Sequence, residues 1–114
     1  MARDLPATQK IVPTGLAAAL TAPTANGDAI KAGQQAVWVH NGSGASINVT
    51  AQTPQKVEGL DVAENVVAVP AGADRLIGPF PAGTYGRPSS GADPGMVYID
   101  YSSVASVTRA IISF

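Results

Sequence analysis

The sequence predicts an all-β domain, a small antiparallel β-sandwich or barrel of jelly-roll-like form carrying an extended N-terminal arm. Three observations lead there. Nine Pro and twelve Gly interrupt the chain every few residues, so no segment of helical length keeps an amphipathic 3.6-residue repeat. Short apolar stretches with a period of two recur at the spacing of sandwich strands. At 114 residues the chain holds one core, not two. We divide it into an arm over residues 1–30 and a β-sandwich over residues 31–114.

The arm contains Pro6, Pro13, Pro23, Thr8, Thr14, Thr21 and Thr24 with few large apolar side chains. Such a segment can lie extended and gain order on a partner. Residues 9–12 read as a first strand, placed at an edge or strand end because Pro13 cannot donate to a ladder. The Ala-rich stretch from 16 to 20, confined by Pro13, Gly15 and Pro23, has room for a single helical turn at most.

Residues 36–40 and 46–50 flank Asn41, Gly42, Ser43, Gly44 and Ala45, a loop whose Asn and Gly residues accept positive φ, and we read them as a hairpin. Val37 and Val39 share one face, as do Ile47 and Val49 on the next strand, which predicts all four as core. Residues 65–69 form a further strand. Pro70-Ala71-Gly72-Ala73 then turns the chain into residues 74–77 as a second hairpin or a corner. Gly78-Pro79-Phe80-Pro81 breaks the ladder. Residues 82–95, rich in Gly, Pro and Ser, read as a long loop and a candidate contact surface. Two strands over 96–101 and 106–114 close the domain, and the apolar end at Ile111, Ile112 and Phe114 must pack against its own sheet or a neighbour.

Hydrophobic residues make up 46% of the chain and charged residues 13%, against roughly 25% charged in an ordinary soluble domain. Much of the surface is therefore neutral and offers little charge repulsion to neighbouring protein. The formal net charge is −1, and the seven Lys and Arg are nowhere adjacent. That distribution argues against nucleic-acid binding, which relies on clustered cations. No apolar run approaches the length of a membrane helix, and the first residues lack the apolar stretch of a signal peptide. We expect no membrane association and synthesis in the cytoplasm.

No catalytic, cofactor-binding or metal-binding residue is assigned. The chain has no Cys, and its one His, His40, has no companion ligand in its neighbourhood, which favours a structural histidine. Asp61 and Glu64 lack the interval and number of oxygen ligands of a calcium loop and read as a solvated connection. No Gly-x-Ser-x-Gly elbow or phosphate loop is present. Trp38, Tyr85, Tyr98 and Tyr101 are the side chains able to form a glycan platform or an interface anchor. Trp38 and Tyr98 each sit on the face opposite an aliphatic pair, so both faces of their strands are apolar.

Five segments stand in order along the chain: residues 9–16, Val37-Trp38-Val39-His40-Asn41, Val69-Pro70-Ala71-Gly72, residues 75–81, and residues 97–104. Together they resemble small virion structural proteins of tailed bacteriophages, especially of actinobacterial hosts. The resemblance runs from about residue 9 to the C-terminus and carries no binding residue by motif. It implies a capsid decoration, or cement, protein located on the capsid surface of the virion. Its partners would be the major capsid protein and its own copies in a homotrimer, with capsid stabilisation as its role and no enzymatic activity. The alternatives are a head-tail connector or tail protein and a glycan- or receptor-binding module.

Overall fold

The computed structural model describes residues 3–54, 56–87 and 93–113. The chain forms β1 (Thr8–Lys10), β2 (Asp28–Lys31), β3 (Gln35–Asn41), β4 (Ile47–Ala51), β5 (Lys56–Val57), β6 (Leu60–Asp61), β7 (Asn65–Val69), β8 (Asp74–Ile77), a single helical turn α1 (Ala82–Tyr85), β9 (Met96–Tyr101) and β10 (Val107–Ser113). Two four-stranded sheets face each other. One has the order β1-β10-β3-β8, the other β2-β9-β4-β7, and β5 and β6 pair as a separate hairpin. This interleaved order is that of a jelly roll, in which successive strands cross between sheets. All pairings between these strands are antiparallel except β1 with β10, which is parallel.

The alternation of apolar residues decides what lies between the sheets. From the first sheet Val37, Val39, Ile77, Val107 and Ile111 point inward, and from the second Ile30, Ile47, Val49, Ala51, Val69, Val97 and Ile99. Phe80 plugs the same core and meets Tyr85 edge to face, centroids 5.2 Å apart. The four core residues expected from residues 36–40 and 46–50 are all buried. Their expected hairpin does not form. β3 pairs with β10 and β8, whereas β4 pairs with β7 and β9, so residues 42–46 arch from one sheet to the other.

Asn41 makes that arch. Its fully buried side-chain amide donates to the Ala45 carbonyl at 2.8 Å and the Val69 carbonyl at 2.9 Å, and accepts from the Ser43 amide and hydroxyl. A hairpin and a crossing arch present the same inward alternation, so periodicity alone cannot separate them. Residues 70–73 likewise form a corner, not a hairpin, since β7 and β8 lie in different sheets.

Residues 3–30 contain no helix, and their described part runs along the sheet edges. Asp4 bridges to Asp28, β1 pairs with the end of β10, Thr21 bridges to Arg109, and residues 28–30 already belong to β2. The helical turn allowed at 16–20 is absent. There the Gln9 side-chain amide binds both the backbone N–H and the carbonyl of Ala19 at 2.8 Å, as a neighbouring strand would, which satisfies the backbone in an extended path. The loop at 82–95 begins with α1, and residues 88–92 lie outside those described. Ile111 and Ile112 are buried in their own chain, while Phe114 lies outside the described residues.

Candidate interaction surface

Among the described residues the interior holds one charged cluster. Val107, Arg109 and Ile111 share the inward phase of β10, so Arg109 projects between the sheets. Its guanidinium meets the Asp28 carboxylate of β2 in a two-pronged ion pair, Nε to Oδ2 at 2.7 Å and Nη2 to Oδ1 at 2.9 Å. Tyr101 donates its hydroxyl to the same carboxylate at 2.5 Å, and Arg109 Nη1 donates to Thr21 Oγ1 at 2.6 Å. Burial first, and then the Asp28 charge, push the Tyr101 phenol well above its ordinary range. The Asp28 hydrogen bond raises Arg109 despite its burial. Both groups thus keep their protons at any working pH, and the cluster is a clasp joining the two sheets and the N-terminal segment.

Around Tyr98 the outer face of the second sheet is filled by its own chain. Tyr98 lies between two guanidinium groups, with Arg3 4.3 Å and Arg87 4.5 Å from its ring centroid. Its hydroxyl donates to Asp93, and that bond is the main reason its phenol is raised. Arg3 and Gln52 both donate to Asp100, at 2.6 and 2.7 Å. Arg3, Arg87, Asp93 and Asp100 each meet a ring, a carboxylate or an amide, so the face around Tyr98 is polar and occupied.

The outer face of the first sheet differs. Trp38 of β3, Leu76 of β8 and Ile112 of β10 line an open apolar groove of 190 Å³ with Ile11 and Leu16 from the N-terminal segment. Leu76 is 62% exposed and Ile11 45%. Apolar rows on the outside of a sandwich strand are the mark of a surface awaiting a cover. One end of the face carries His40, whose Nδ1 makes a short contact with the Asp74 carboxylate across the β3–β8 pair. That hydrogen bond holds the Asp74 carboxyl below its ordinary value.

The four aromatic residues proposed from sequence do not converge. Trp38 lies on the outer face of one sheet and Tyr98 on that of the other; Tyr101 points inward to Asp28, and Tyr85 packs on Phe80. Asp61 pairs with Lys56 at 3.0 Å across the β5–β6 hairpin, away from any role shared with Glu64. That hairpin, turned through Glu58 and Gly59 at positive φ, was not anticipated in the connection before residue 65; its signal is the short turn of two residues between apolar neighbours. Among the described residues no group of three or more His, Asp or Glu is placed to hold a metal ion. The Arg109–Asp28 clasp also escaped sequence reasoning, although an arginine in the inward phase of an apolar strand demands a buried acid somewhere. Against known protein families, characterised proteins and solved structures, the chain finds no match.

Proposed function

We propose that the protein is a bacteriophage capsid decoration protein. It binds the outer surface of a shell built by the major capsid protein, at three-fold or quasi-three-fold positions, as a homotrimer without enzymatic activity. One observation carries this reading: exposed Leu76 and Ile11 border an open apolar groove at Trp38, while around Tyr98 the opposite face is occupied by its own arginines and carboxylates. A domain with one such face is suited to lie flat on another protein. The jelly roll adds little by itself, since viral shells, lectins and cupins all use it. The absence of convergence among the aromatics favours shell binding over a glycan platform.

Removing the exposed part of Leu76 from water is worth about 1–2 kcal/mol per copy, and three copies held together multiply such a modest term through avidity. The test is titration of purified protein onto shells that lack it. Saturation at a fixed ratio to capsid subunits, with shells that withstand more heat, is the expected result. Binding confined to a single vertex would favour a connector, and no binding would sink the proposal.

A further inference from the structure

A sheet edge exposes unpaired backbone groups, and proteins protect such edges with a cover, a charge or a proline. In the first sheet the outer strands are β1, which carries Lys10, and β8, which carries Asp74 and Arg75. In the second sheet, β2 is covered by Asp4, whose N–H and carbonyl bond to Gly27 and Ala29 at 2.9 Å. The remaining edge is β7, Asn-Val-Val-Ala-Val, paired with β4 on one side only. Among the described residues it is the sheet edge with neither cover nor charge, and Val66 stands 54% exposed on its outer row.

We infer that β7 is an interaction edge, and that its occupant is β7 of a second copy, added antiparallel about a two-fold axis so that β2-β9-β4-β7 continues into its symmetry mate. The strand is complementary to itself. Residues directly opposite in an antiparallel pair lie on the same face. With the axis at Val67, Val66 meets the partner's Ala68 on the outer face, and Val67 meets the partner's Val67 on the inner one. Glu64, just before the strand, falls opposite the partner's Pro70, so no like charges meet. β8 differs because Asp74 and Arg75 place two charges on its edge, the device by which sheets resist strand addition. The pairing satisfies backbone groups and covers Val66 at once.

This inference deepens the functional reading, on which only its setting rests: on a shell, a two-fold contact would tie one trimer to the next. The experiment is sedimentation of the purified protein beside V66K, which places an edge-protecting charge on an exposed residue, and A68K as a second variant on the same row. The wild type is expected to have twice the mass of either variant, six copies against three if trimers form and two against one if they do not. Equal masses would overturn the inference. Should both variants fail to fold, amide exchange of residues 66–68 in the wild type decides: protection that grows with protein concentration supports the pairing, and protection independent of it refutes it. Protein that doubles through β7 yet never binds shells would sink the functional reading and leave this one standing.

Discussion

Replacing Arg109 with methionine is the most informative perturbation of the fold. Methionine keeps much of the volume of the stem and removes the guanidinium, so both prongs to Asp28 and the bond to Thr21 Oγ1 disappear together. Asp28 has no exposed surface and is left with the Tyr101 hydroxyl. Removing one partner of a buried pair costs about 3–5 kcal/mol, because the remaining charge stays desolvated. For a domain of this size each kcal/mol moves the melting temperature by roughly 4 °C, so R109M should melt about 12–20 °C lower. Urea unfolding followed by circular dichroism measures the loss. The double variant D28L/R109M should recover most of it, since a well-packed apolar pair in place of a buried ion pair is commonly neutral. A loss under about 1 kcal/mol in R109M, or a double variant less stable than R109M, would refute the reasoning, for it would mean that the clasp is solvated or that its worth is only packing.

Further predictions concern single residues. Leu76→Asp should leave melting nearly unchanged, because the side chain is mostly exposed, while shell titration shows an affinity at least tenfold weaker. Gly27→Ala should cost about 1–3 kcal/mol in urea unfolding, since its φ is +77° and a Cβ there would lie 2.5 Å from Arg3 Nη1 and 2.7 Å from the Ile99 carbonyl; wild-type stability would show that residues 26–28 are not held as described. Asp74 has a folded value below its ordinary 3.8, so its contribution is present above pH 3.8 and fades as pH falls below it. Asp74→Asn should flatten that acid limb of the stability curve, and an unchanged limb would remove the His40–Asp74 contact from the account.

Much of the fold was legible because burial is written in alternation. Val37, Val39, Ile47 and Val49 announced the core, and residues 65–69 and 96–101 announced strands that the structure contains. Which strands pair was not legible. Asn41 in a Gly-rich loop signals a turn, but the amide's second partner, Val69, lies 28 residues away, and only that contact makes the loop an arch. Arg109 and Asp28 are separated by 81 residues, so no local spacing could join them; what sequence offered was the phase of Arg109 alone. The apolar surface was half legible. Trp38 and Tyr98 both sit opposite aliphatic pairs, yet Tyr98 is flanked by the charged Arg3 and Arg87 from distant segments, whereas Trp38 borders an apolar groove with Ile11 and Leu16.

The central claim is that the Trp38–Leu76–Ile112 face lies against the shell. Hydroxyl-radical footprinting of the protein free and bound to shells tests it directly, with Tyr98 on the opposite face as the internal reference. The account predicts that Trp38 and Leu76 lose reactivity on binding while Tyr98 keeps its own. Protection of Tyr98 with Trp38 and Leu76 still reactive would contradict it.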